Sequence, residues 1–194
     1  MTTRIFPLFF AVVALTAGSF AQTSPSKIYN GQKVGIKNFG QMDARFFRGE
    51  SPGKKELATL KAMGIDTIIA LTDNTPGEQA MVEAPGMRYV NIPIKDKTVP
   101  TDAAIAKFLD TLKDPATGKF YLHCAGGRHR TGDMGAIYRM EEGWDYDKVY
   151  QEMENYEFYT SNGHQAQTDF VLDYFKKVTA RGVDVIVIKK GIAK

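Results

Sequence analysis

Apolar residues fall along this chain in short runs that alternate with amphipathic stretches, and the period switches between two and 3.6 in a regular order. "MDARFFRG" (Met42–Gly49) has the aromatic content of a strand that ends at a turn. "SPGKKELATLKAMG" predicts a helix, with Ser51 as N-cap, Pro52 at the first helical position and Gly64 as C-cap. The β-branched run Ile65–Asp73 predicts a buried strand, "TPGEQAMVEAPG" a short helix and Met87–Ile94 another strand. After the charged loop "KDKTVPT", Thr101 caps a helix whose Ile105, Phe108, Leu109 and Leu112 share one face. "GKFYLHC" predicts the next strand, and "TGDMGAIYRMEEG", "DYDKVYQEMENYE" and "HQAQTDFVLDYFKKVTARG" three consecutive helices. Upstream lies a polar, Gly-rich lead-in over 22–41, in which Ile28, Val34 and Ile36 have the pattern of short strands. Downstream, Val183–Ile188 fits either a last strand or a tail within 181–194. This order predicts an α/β fold: a mostly parallel central sheet flanked by helices, with a helical C-terminal third. In such sheets the ligand crevice lies at the carboxyl ends of the strands.

The first 21 residues belong to a different pattern. Arg4 precedes an uncharged apolar run that closes on Ser19-Phe20-Ala21, a small-x-small cleavage site. The run from Ile5 to Phe20 contains Pro7, is short for a spanning helix and has no basic stop-transfer flank. The expectation is a signal peptide over 1–21, a mature chain starting near Gln22, and a periplasmic or secreted protein. With no cysteine at the cleavage site, a lipoprotein anchor is not expected.

The net charge of +3 is too small for a general nucleic-acid footprint. With one cysteine and three histidines, the chain offers neither a disulfide framework nor a multi-cysteine zinc site, so no metal and no cofactor are expected. The expected form is a monomer without a nucleic-acid partner or a membrane anchor.

The one cysteine, Cys124, stands at the end of the "GKFYLHC" strand, followed by Ala125, Gly126, Gly127, Arg128, His129 and Arg130. If a helix begins near Thr131, the intervening backbone must curl, and Gly126 and Gly127 permit the positive φ that a tight curl needs. Such a curl aims successive N–H groups inward, making an anion nest beside the positive end of a helix. Those dipoles and Arg130 favour the thiolate of Cys124. Arg130 offers a planar fork to two phosphoryl oxygens. Thr131 places a hydroxyl where it can stabilise the departing thiolate. The chemistry implied is metal-free nucleophilic catalysis on a phosphate ester: Cys124 attacks phosphorus, and water then hydrolyses the phosphocysteine.

His123-Cys124-x-x-Gly127-x-x-Arg130-Thr131-Gly132 resembles the HCxxGxxR[ST]G signature of the cysteine-dependent protein tyrosine and dual-specificity phosphatases. "FFRGESP…LKAMGIDTIIALTD" resembles their opening strand, helix and strand. "GRHRTGDMGAIYRMEEGWDYDKVYQEM" is closest to the atypical plant and fungal branch. The resemblance runs from about Met42 to Lys177 and implies a protein-tyrosine-phosphatase-like fold over 42–180. It also implies a general acid, usually an aspartate on a mobile loop some thirty residues before the cysteine. Asp96 occupies that place, with Asp102 and Asp73 as rivals. By the same resemblance His123 tunes the cysteine through hydrogen bonds. Arg128 and His129, with Lys95 and Lys97 near the acid, either are solvated rim charges or serve a substrate with more than one phosphate. Phosphotyrosine proteins, inositol phosphates and phosphoinositides are the substrate classes implied. Trp144 and Tyr146 fit core and turn positions, and Gln165 or Gln167 could position the hydrolytic water. Two alternatives stay open: a rhodanese-like sulfurtransferase, which also sets a cysteine at a strand end, and a catalytically inactive phosphate-binding module.

Overall fold

The computed structural model describes residues 28–29, 32–73 and 76–181. The apolar N-terminal run and Val183–Ile188 lie outside them. A small antiparallel pair, β1 (Ile28–Tyr29) and β2 (Gln32–Lys33), comes first. Then follow β3 (Gly40–Gln41), β4 (Phe46–Glu50), α1 (Lys54–Ala62), β5 (Thr67–Ala70), α2 (Pro76–Glu83) and β6 (Arg88–Asn91). The chain continues through α3 (Asp102–Lys113), β7 (Phe120–Cys124), α4 (His129–Glu141), α5 (Tyr146–Asn155) and α6 (Gln165–Ala180). The central sheet has the order β3-β4-β7-β5-β6. β4, β7, β5 and β6 run parallel, and β3 joins β4 antiparallel at the edge. The expected α/β architecture with a helical C-terminal third is the one found.

β7 sits at the centre of the sheet, buried on both faces, and the period-two alternation of its side chains decides where the chemistry goes. Phe120, Leu122 and Cys124 face one layer, packed with Phe108 of α3, Met134 and Ile137 of α4, Met153 of α5 and Val171 of α6. Tyr121 faces the opposite layer, with Val34, Ile36, Leu57, Leu60 and Val82. Cys124 therefore looks toward α4, and His123, one residue earlier, looks toward α1 and α2. Phe46, Phe108 and Phe120 are fully buried, and each contributes about 2–3 kcal/mol by leaving water.

Local expectations were met unevenly. Thr101 caps α3 by accepting from the Ala104 N–H at 3.2 Å. Gly64 adopts φ 81° just past the end of α1, as a C-terminal glycine should. Ser51 is not the N-cap of α1: the helix starts at Lys54 behind Gly53. Tertiary contacts claim Ser51 instead, its N–H donating to the Ala125 carbonyl at 3.3 Å. Val34 and Ile36 are core residues outside any strand, and β3 forms later, at Gly40–Gln41. Helix α4 begins at His129, two residues before the expected start near Thr131. Twelve of its thirteen residues are buried, so it has no polar face from which its limits could be read.

Candidate active site

The loop from Cys124 to Arg130 joins the carboxyl end of β7 to the first turn of α4. Its curl depends on one glycine. Of the two glycines that permit a positive φ, Gly127 adopts one, 65°, and Gly126 does not. A side chain at Gly127 would also run into the backbone of Gly49 and Glu50 at the end of β4.

The loop is held from outside by its carbonyls. Ala125 accepts from the Ser51 N–H. Gly127 accepts from Asn38 Nδ2 and from Arg48 Nη2, both at 2.9 Å. Arg128 accepts from Arg48 Nη2 at 3.4 Å and from the Gly132 N–H at 2.8 Å. Among the described residues no peptide is cis, so the N–H groups of Gly126, Arg128 and His129, anti to those carbonyls, point away from the outside partners. This is the nest that a phosphoryl group needs. Cys124 lies at its base, 4% exposed.

Arg130 sits in the first turn of α4, also buried. Its Nη1 donates to the Ile94 carbonyl at 3.1 Å, and Nη2 lies 3.5 Å from Asp96 Oδ1. Of the three aspartates weighed, Asp96 is the one whose carboxylate pairs with Arg130 among the described residues. Asp102 is exposed in the first turn of α3, and Asp73 is exposed beyond β5. The Thr131 hydroxyl is fully buried with no hydrogen-bond partner. His123 is fully buried, and burial, then Arg130, push its pKa down to about 4 against the Cys124 backbone, so its ring is neutral at physiological pH.

The neighbours of the nest differ from what the charge count suggests. The Arg128 guanidinium donates to Glu157 Oε2 at 2.9 Å, at the surface. The His129 ring stacks on His164, with centroids 3.4 Å apart, and Nε2 lies 3.0 Å from the Tyr159 carbonyl. Burial and His164 push the His129 pKa down to about 4. One of these two cations is thus compensated and the other is uncharged. Gln167 is fully buried, bonded to His164 Nδ1 and Asp133 Oδ2, each at 2.6 Å. Gln165 bonds to Asp169 on the surface. Trp144 lies between Arg139 and Lys148 and packs on the core, as does Tyr146.

Residues that the sequence did not single out are Asn38, Arg48, Glu78, Asp133 and Glu157. Arg48 alone carried a signal, a charge in the middle of the apolar strand "FFRGE". Its guanidinium is buried over the Tyr156 ring, 4.0 Å from the centroid, and burial lowers its pKa. Among the described residues no cluster of histidine, cysteine or carboxylate side chains could hold a metal ion, and no helix is long and apolar enough to cross a membrane.

Residues 16–173 match the family described as "DSP-PTPase phosphatase fused to NAD+ Kinase". The chain belongs to this family. That places it in the cysteine-dependent tyrosine and dual-specificity phosphatase class and sets the sulfurtransferase alternative aside. Inositol diphosphatase DSP3 of Arabidopsis thaliana is 27% identical over 121 residues, covering 59% of this chain and 60% of the plant protein. The core catalytic domain of the PP-IP phosphatase SIW14 from S. cerevisiae, crystallised with citrate, superposes with a TM-score of 0.64 at 18% identity. That likeness covers 75% of this chain and 93% of the yeast domain. TpbA of P. aeruginosa, a cysteine-to-serine variant in complex with phosphotyrosine, gives a TM-score of 0.59 at 21% identity over 78% of this chain and 94% of that one. The two structures support the fold.

Proposed function

We propose that this phosphatase is exported and hydrolyses phosphate monoesters through a phosphocysteine on Cys124. The observation that carries the reading is the loop whose Ala125, Gly127 and Arg128 carbonyls are tied to outside partners, leaving the following N–H groups and Arg130 for one thiol. A phosphoryl group seated there has its equatorial oxygens on those N–H groups and on the Arg130 fork, where charge builds in the transition state. The Cys124 sulfur attacks in line, and the P–O bond to the leaving group breaks. Asp96, protonated for this step, gives its proton to the departing oxygen. Water then attacks phosphorus and passes a proton to the Asp96 carboxylate, the S–P bond breaks, and the Thr131 hydroxyl, buried and without a partner in this structure, donates to the thiolate as it leaves. His123, neutral, stays behind the nucleophile.

With Arg128 engaged by Glu157 and His129 uncharged, the pocket suits one phosphoryl group at a time, as on phosphotyrosine in a protein. A second reading, an inositol pyrophosphate, draws on the exposed Lys95 and Lys97 flanking Asp96 and on the activity named for the plant relative. Phosphate release from phosphotyrosine and phosphothreonine peptides, inositol phosphates, an inositol pyrophosphate and phosphoinositides, at equal concentration, separates the two. Phosphopeptide turnover exceeding the rest supports the first reading, and pyrophosphate turnover the second. Binding of phosphorylated ligands without release between pH 4 and 8 makes the chain an inactive binding module. Export rests on the N-terminal pattern of residues 1–21. An N-terminus at or near Gln22 in protein recovered outside the cytoplasm is the expected result, and an intact Met1 there contradicts it.

A further inference from the structure

The buried polar group behind the nucleophile has company that the catalytic steps do not use. His123 is fully buried, and neither ring nitrogen meets a hydrogen-bond partner in good geometry. Its Nε2 lies 3.3 Å from Glu78 Oε1, close enough for a small ring rotation to complete the bond. Glu78 comes from the first turn of α2 on the other side of the sheet and is itself only 8% exposed. A carboxylate there costs several kcal/mol of lost hydration unless donors replace the water. Three are at hand: the Tyr89 hydroxyl donates to Oε2 at 3.1 Å, the Ser51 hydroxyl to Oε1 at 3.4 Å, and the neutral His123 ring faces Oε1. Favouring the start of α2 would need only an exposed carboxylate, so burial against His123 asks for another explanation.

The same cluster reaches the loop a second way. Ser51, which gives its hydroxyl to Glu78, gives its N–H to the Ala125 carbonyl. That bond turns the Ala125 peptide outward and the Gly126 N–H into the nest. One carboxylate therefore meets both the residue before the nucleophile and the clamp on the residue after it.

We propose that Glu78 is a positioning residue for Cys124, acting through His123 and Ser51, and that its negative charge sets the pH range over which the thiolate forms. This rests on the phosphatase reading of the loop. By accepting from Nε2, Glu78 fixes the tautomer and rotation of the His123 ring, leaving Nδ1 beside the Cys124 backbone. The groups facing the pair are Tyr89 from β6, Tyr121 from β7, Ser51 from the segment before α1, and Arg130 from α4. The thiol itself faces Arg48 from β4, Tyr121 from β7 and Asp133 from α4; Glu78 adds an anion behind His123 that opposes the thiolate, while Arg48 and Arg130 favour it.

The test is the rate of Cys124 alkylation by iodoacetamide against pH, with the pH profile of kcat/KM on p-nitrophenyl phosphate alongside. Removing the anion in Glu78→Gln moves the alkylation midpoint to lower pH by roughly half a unit or more. The acid limb of the kcat/KM profile moves with it, and kcat falls several-fold as the ring and Ser51 lose their anchor. Tyr89→Phe withdraws one donor and leaves the Glu78 carboxylate less screened, so it gives a smaller shift in the opposite direction, to higher pH. A merely structural role lowers kcat without moving either profile. A folded Glu78→Gln variant with an unmoved midpoint, or one moved to higher pH, overturns the proposal. If Glu78→Gln does not fold, Tyr89→Phe decides it: an unmoved midpoint, or one moved to lower pH, overturns the proposal. Alkylation needs no turnover: a wild-type protein that alkylates but releases no phosphate defeats the phosphatase reading and leaves this measurement valid.

Discussion

Replacing Gly127 by alanine is the sharpest probe of how this loop works, because two penalties converge on one atom. The residue sits at φ 65°, a region that costs an L-residue about 1–2 kcal/mol. The added Cβ would lie 2.7 Å from the Glu50 backbone nitrogen and closer still to the Gly49 carbonyl. Reaching the 3.4 Å of an ordinary contact therefore moves the loop by at least about 0.7 Å away from the end of β4, since backbone cannot step aside like a side chain. That displacement pulls the Gly127 carbonyl off Asn38 and Arg48, and overpacking of this kind adds about 1–3 kcal/mol. The total is about 2–5 kcal/mol, or roughly a 5–15 °C fall in Tm for a chain of this size. A misplacement approaching 1 Å also costs about 100-fold in turnover. Gly126→Ala is the control: its Cβ meets only Arg128 Nη1, at 4.0 Å, so its stability stays within about 0.5 kcal/mol of wild type. Thermal melts and kcat/KM on p-nitrophenyl phosphate read both variants. Gly127→Ala with unchanged melting and nearly full activity, or equal destabilisation by the two, would refute the reasoning.

Three further outcomes follow from charge in and around the site. Burial holds the Asp133 carboxyl well above its usual range, and burial pushes His123 down to about 4. Between pH 4 and 6.5 the unfolded chain binds the His123 proton that the fold excludes, so this term raises stability as pH rises, by about 3 kcal/mol across the window. Asp133 has the opposite sign: the fold keeps a proton that the unfolded chain releases above pH 3.8, so stability falls as pH rises. Asp133→Asn should therefore steepen the rise in stability between pH 4 and 6.5, by up to about 1.4 kcal/mol per unit; denaturant titrations with the wild-type slope contradict it. Arg48→Met removes two charged hydrogen bonds to the loop but also the burial of a guanidinium, so stability moves by less than about 2 kcal/mol. Its kcat/KM nonetheless falls at least about tenfold, and a variant that loses stability but keeps turnover removes Arg48 from the loop's support. Asp96→Asn slows an alkyl phosphate by about 100-fold or more and an aryl phosphate much less, because a phenolate leaves without a proton. Equal losses on both move the acid to another residue.

What could be read in advance was local in the chain. The loop chemistry lies within eight consecutive residues, between an aromatic-rich strand and a helix, and Thr101 and the apolar stripe of α3 sit at and within one helix. What could not be read depends on the sheet bringing distant residues together. Arg48 and Asn38 meet Gly127 across 79 and 89 residues. Glu78 meets His123 because odd and even positions of β7 face opposite layers, which no local pattern records. Ser51 has every local mark of an N-cap and serves Ala125 and Glu78 instead. Helix α4, buried nearly all round, had no polar face to show that it begins at His129. The choice left open for Arg128 and His129 turns on distant residues too: Glu157 and His164, which pair with them, stand 29 and 35 residues further along.

The central claim is a covalent phosphoryl group on Cys124. Acid quenching during rapid turnover of p-nitrophenyl phosphate, followed by mass spectrometry of the peptide containing Cys124, tests it directly. The account predicts one phosphoryl adduct, on Cys124 in the wild-type protein, and neither adduct nor turnover in Cys124→Ser. An adduct on another residue, or phosphate release that persists in Cys124→Ser, contradicts it.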